Sequence, residues 1–133
     1  MTDGEAGFLA ALFERHGRVV YEEKRVGKRA YPYFSVVLFR VPKHLAAWLL
    51  ERVPGTKMSG SFVPYCTIKF VTPEDACRAL VHAYDLLLSL KCPAQIYFRY
   101  AKIVGRQGKR LSKKQFAERQ ALAKELAACR QEE

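Results

Sequence analysis

The chain of 133 residues is short of acids and of long apolar runs, and it lacks the motifs of the common enzyme classes. The aliphatic stretch Leu86-Leu87-Leu88-Ser89-Leu90 is far below the roughly 20 residues that cross a bilayer, so no membrane partner is expected. No P-loop, GxSxG or dinucleotide-binding glycine pattern occurs, which removes the sequence basis for those phosphate, acyl-transfer and redox chemistries. The cysteines Cys66, Cys77, Cys92 and Cys129 form no CxxC pair and no zinc-finger layout with the histidines. No metal site and no cofactor are therefore expected. Cys66 falls in a predicted strand and Cys77 in a predicted helix, so buried reduced thiols and an intracellular, reducing compartment are the expectation. The acidic start Met1-Thr2-Asp3-Gly4-Glu5 resembles neither a secretory nor a transit peptide.

What is present is positive charge. Lys and Arg number 23 against 13 Asp and Glu, a net charge of +10, and the pI is near 9.7. Half the residues are hydrophobic, enough for one globular core. A compact domain this basic is suited to a polyanion, and nucleic acid is the expected partner.

The pattern opens with a short apolar helix, Phe8 to Gly17, with small residues in its middle and glycine at its end. Arg18 to Lys24 reads as a strand, with Val20, Glu22 and Lys24 on one side and Val19, Tyr21 and Glu23 on the other. Arg25 to Ala30 holds Gly27 and the cations Arg25, Lys28 and Arg29, which predicts an exposed hairpin loop. In the next strand, Tyr31 to Phe39, Phe34, Val36 and Leu38 form the core side and Tyr33, Ser35 and Val37 oppose them, with imperfect alternation. Pro42 opens a helix from Lys43 to about Arg52 with a Leu45, Trp48, Leu49 stripe, ended by Pro54-Gly55. Lys57 to Phe62 and Tyr65 to Val71 read as further strands; in the latter, Cys66, Ile68 and Phe70 alternate with Tyr65, Thr67 and Lys69. Thr72-Pro73 starts a helix expected to run to about Leu90, which makes a weak internal ββα repeat.

Ile96 to Val104 suggests another helix. Gly105 to Arg110 reads as a basic loop, and the capping box Ser112-Lys113-Lys114-Gln115 opens a last helix to about Arg130. Phe116, Ala123, Leu126 and Ala127 would dock that helix, and Lys102, Arg106, Lys109, Arg110, Lys113 and Lys114 would form a second cationic patch. The organisation is thus a core over 1–104 and a basic loop with a C-terminal helix over 105–133.

The expected class is α+β: an αββαββα core with a curved four-stranded antiparallel sheet and helices on one face. The free face would present Glu22, Lys24, Tyr33, Ser35, Tyr65, Thr67 and Lys69, donors and acceptors able to read base edges in a major groove. Arg18, Arg25, Lys28, Arg29 and Lys57, in flanking loops, would contact phosphates.

The segment Leu9-Ala10-Ala11-Leu12-Phe13-Glu14-Arg15-His16-Gly17 resembles the signature helix of the LAGLIDADG homing endonucleases, and the order of elements over roughly 6–104 is similar to theirs. The resemblance implies that Phe8, Leu9, Ala10, Ala11 and Leu12 form a dimer interface, the small Ala10 and Ala11 allowing close helix approach. The partner is a second copy or a related motif. It also implies that the penultimate residue of the motif is an acid binding a divalent ion at the scissile phosphate. Here that position is His16. Mg²⁺ takes oxygen ligands, and imidazole is a poor substitute. Glu14 lies two residues away, about 200° around a helix, and Asp3 and Glu5 lie before the helix or at its far end. No catalytic residue is therefore assigned.

The expectation is a LAGLIDADG-derived protein that binds DNA or structured RNA without cutting it. The alternatives are an active homodimeric endonuclease using Mg²⁺ on double-stranded DNA, and a maturase-like or ribosome-associated RNA binder. A small α+β protein-binding domain outside the family is a further reading. His44 and His82 add no ligand set.

Overall fold

The computed structural model describes residues 1–104 and 112–131. The expected basic loop at 105–110 lies outside them. Helix α1 (Asp3–His16) begins five residues before the apolar pattern does, so Asp3 and Glu5 sit in its first turn rather than before it. The cause is a capping box. Thr2 Oγ1 accepts from the Glu5 amide at 3.1 Å, and the Glu5 carboxylate accepts from the Thr2 amide at 3.2 Å.

α1 passes into strand β1 (Gly17–Val26) with no loop. Gly17 permits this, because a Cβ there would lie 2.7 Å from the Phe13 carbonyl oxygen and 3.1 Å from its Cα. β1 pairs with β2 (Arg29–Pro42) out to Val26 opposite Arg29, leaving only Gly27-Lys28 as the turn. The six-residue loop expected over 25–30 is therefore mostly strand. Gly27, at φ +66°, takes the positive dihedral a tight hairpin needs, and the ladder continues to its tip.

Helix α2 (Lys43–Arg52), strands β3 (Thr56–Phe62) and β4 (Tyr65–Phe70) and helix α3 (Pro73–Ala83) follow. The expected continuous helix to Leu90 stops at Ala83. A 3₁₀ turn at Tyr84–Leu86 intervenes, and α4 (Lys91–Val104) starts afresh. Pro93 is tolerated only in a first helical turn, and Leu87 and Leu90 turn inward between the two helices. Helix α5 is Lys113–Gln131.

The sheet order is β1-β2-β4-β3, antiparallel throughout. Leu9, Phe13, Val19, Leu38, Leu49, Ile68 and Leu80, all fully buried, fill the layer between sheet and helices. This is the α+β architecture expected, with the opposite sheet face left free of these helices.

α5 is held to α4 by a Cys92–Cys129 disulfide and an Arg99–Glu125 ion pair at 3.0 Å. Those two cysteines are therefore oxidised, not the reduced thiols expected; buried Cys66 and half-buried Cys77 are free. The docking stripe is Arg119, Leu122, Leu126 and Cys129, at helical spacing, while Ala127 is exposed. Arg119, 5% exposed, donates to the Pro32 carbonyl and stands 5.4 Å from the centre of the Tyr100 ring. Burial lowers its pKa, against the attraction of the two tyrosines Tyr100 and Tyr21.

The disulfide joins cysteines 37 residues apart, a closure worth about 4 kcal/mol in a chain-entropy account. Reduction, or Cys92→Ser, should lower the melting temperature by several degrees and loosen α5 first. Thermal melts with and without dithiothreitol check this, and identical melts would contradict it.

Candidate nucleic-acid interface

Residues directly opposite in an antiparallel pair share a face. The register therefore sorts the helix-free side of the sheet into cross-strand rows. Glu22 lies opposite Tyr33, and the Tyr33 hydroxyl donates to the Glu22 carboxylate. This bond is the main reason the Tyr33 pKa is raised. Val20 lies opposite Ser35. Next comes a row across all four strands, Arg18–Val37–Lys69–Lys57. Val37 is 2% exposed although it lies on this side, so the row is three cations around a covered apolar centre. Arg18 and Lys57, expected in flanking loops, are thus strand residues. Their strands extend one residue beyond each predicted start. Lys24, Arg25 and Lys28 are exposed towards the hairpin tip, with Arg25 and Arg29 in strand ends and Lys28 in the turn. Tyr65 is exposed, Thr67 and Lys69 half-exposed.

Below this row β2 is interrupted. Leu38 pairs with Ile68 and Val41 with Cys66, so Phe39 and Arg40 together oppose Thr67 in a β-bulge. Arg40 has φ +52°, a left-handed conformation that costs a non-glycine residue roughly 1–2 kcal/mol. The bulge turns the Phe39 carbonyl to His16, whose Nδ1 lies 3.1 Å away. A carbonyl only accepts, so Nδ1 carries the proton of this bond. Arg15, His16, Arg18, Phe39, Arg40 and Tyr65 thereby line one groove at the end of α1, with Ala11, Leu12, Pro42 and Leu45 completing it. Among the described residues no carboxylate lines it.

Glu14 faces elsewhere. Its carboxylate accepts from the Leu88 amide, the Ser89 hydroxyl at 2.6 Å and the Leu90 amide at 3.2 Å. It holds the turn that leads into α4. Burial by itself would raise its pKa, but these hydrogen bonds outweigh it and hold the carboxyl below the usual range.

No protein-family model and no curated protein matches the sequence. Solved structures do match. An archaeal intron-encoded homing endonuclease complexed with DNA superposes with a TM-score of 0.78 at 12% identity, over 96% of this chain and 84% of that one. The homing endonuclease I-CvuI, in complex with the I-CreI target in the presence of Mg, gives 0.76 at 10% identity, over 96% and 83%. The LAGLIDADG meganuclease I-AabMI bound to uncleaved DNA gives 0.64 at 13% identity, over 88% of this chain but 43% of its own. The fold is that of the LAGLIDADG homing endonucleases.

Within the LAGLIDADG fold, the end of α1 is where the resemblance places the metal-binding acid. The residues present do not fit a divalent cation. The groove offers arginines and one imidazole, where a hard divalent cation takes oxygen ligands. Of the helix positions assigned to a dimer interface, Leu9, Ala10 and Leu12 are buried in the chain's own core, which leaves Phe8 and Ala11 at the surface. Phe8 packs edge-on against Trp48, ring centres 4.6 Å apart.

The two charged groove residues that escape the sequence reading are Arg15 and Arg40. The sign of the bulge is nonetheless in the sequence. The core phase Phe34, Val36, Leu38 slips to Val41, which buries one position late.

Replacing Glu14 with Ala should cost about 1–3 kcal/mol, the scale of hydrogen bonds to a charged acceptor. Because the folded pKa is depressed, this contribution is complete above the unfolded-state value and is lost as pH falls through the folded one. The stability gap between wild type and Glu14→Ala should narrow in acid. Chemical denaturation across pH checks this, and a gap that widens in acid would contradict it.

Proposed function

We propose that this chain binds nucleic acid, duplex DNA or structured RNA, through the helix-free face of its sheet and does not cut it. The observation that carries this is the groove at the end of α1, lined among the described residues by arginines and an imidazole and by no carboxylate, in a fold shared with homing endonucleases solved on DNA. Hydrolysis assisted by a divalent ion needs hard oxygen ligands beside the phosphate. This groove supplies cations instead, which attract the phosphate and repel the metal. The row Arg18, Lys69 and Lys57 supports backbone contact, while Tyr33, Ser35, Tyr65 and Thr67 supply groups able to meet base edges. Glu22, tied to Tyr33, keeps that hydroxyl oriented.

Affinity for duplex should fall steeply as salt rises, and Mg²⁺ should add no cleavage product. Gel assays with duplex DNA and structured RNA over a salt series test both statements and rank the two ligands. Salt-insensitive binding or Mg²⁺-dependent cutting would overturn the reading. His16→Asp, which restores an acid, should gain metal binding and nick duplex slowly.

The outer stripe of α1, Gly4, Phe8, Ala11 and Arg15, supports pairing with a second copy. Charge opposes that pairing without a polyanion, so two chains should assemble on a long duplex, and Ala11→Lys should leave one. Sedimentation of the complexes reads the stoichiometry; one chain per duplex at every length would contradict it.

A further inference from the structure

We infer that the groove at the end of α1 is a metal-free phosphate clamp, in which Arg15, Arg18 and Arg40 hold one backbone phosphate of the bound nucleic acid directly. The inference rests on the nucleic-acid reading above and assigns these arginines a specific ligand.

The three arginines come from three different elements: the last turn of α1, the start of β1 and the bulge in β2. They line one groove, and among the described residues no carboxylate lines it with them. None of the three makes an ion pair among the described residues, whereas Arg52, Arg78 and Arg99 each do. The nearest acid along the chain, Glu14, is held by Leu88, Ser89 and Leu90. Glu14 also shares a neighbouring cleft with Arg15 and Arg18, but its carboxylate is spent on that backbone turn, so the three arginines bordering the groove are left to attract an anion, and their planar forks match the oxygens of a phosphate.

The backbone adds an independent sign. Arg40 occupies a left-handed conformation in which glycine would be relaxed. Such strain marks places where a side chain is held for use. His16 is a positioning residue here: its bond to the Phe39 carbonyl ties the end of α1 to the bulge and so fixes Arg15 relative to Arg40.

The test is duplex binding over a salt series in EDTA by the full chain and two variants. Arg40→Gly suits the backbone and should melt within a few degrees of wild type, yet bind duplex about ten-fold more weakly. Arg15→Lys/Arg18→Lys keeps the charge but loses the forks, and should weaken binding several-fold with the salt slope unchanged. Melting curves confirm that both are folded. If wild type fails to bind, the nucleic-acid reading itself falls. If wild type binds and both folded variants bind equally well, the reading stands and the clamp is overturned. A requirement for Mg²⁺ in wild-type binding would also overturn it, because the clamp works without metal.

Discussion

The structure turns on the junction at Gly17. A helix that passes into a strand without a loop needs a residue with no Cβ at the crossing, since any side chain would strike the Phe13 carbonyl. That one steric constraint sets the end of α1 against the sheet. It puts Glu14 where it can accept from the turn before α4, and His16 where it meets the carbonyl of the β2 bulge. One helical turn thereby ties two distant parts of the chain, one through a carboxylate and the other through an imidazole.

These ties divide the labour at a position where the family resemblance implies metal chemistry. Glu14 is fully engaged in holding backbone, and His16 is engaged by the bulge. What remains in the groove is guanidinium. The sheet continues the same sign of charge through Arg18, Lys69 and Lys57, aligned across the four strands. A surface of this kind gains affinity by displacing counterions from a polyanion and loses it to added salt. The disulfide and the buried Arg119 belong to another task, fixing α5 to α4 and β2 on the far side of the core.

Much of the fold could be read from the sequence because its causes are local. Alternation in Phe34, Val36 and Leu38, and in Cys66, Ile68 and Phe70, sets which side of each strand is buried. Thr72-Pro73 and Ser112 to Gln115 start helices by capping, as expected. The errors share a different cause. Three cations over 25–30 suggest an exposed loop, but exposed strand tips are as tolerant of charge as loops, and the ladder runs to Val26 and Arg29. The mostly apolar run Leu86 to Leu90 suggests that the helix from Pro73 continues, but the turn that breaks it is held by Glu14, more than seventy residues away. Cys92 and Cys129 pair only because α4 and α5 lie side by side. The grouping of Arg15 with Arg40 needs both the junction and the bulge, so no local pattern announces it.

The most direct test is a crystal structure of the chain on duplex DNA, grown with Mn²⁺ and measured at the manganese edge. A backbone phosphate within hydrogen-bond distance of Arg15, Arg18 and Arg40 is expected, with no anomalous peak at the end of α1. A manganese peak beside His16, with the phosphate held through it, would rule out a metal-free arginine site.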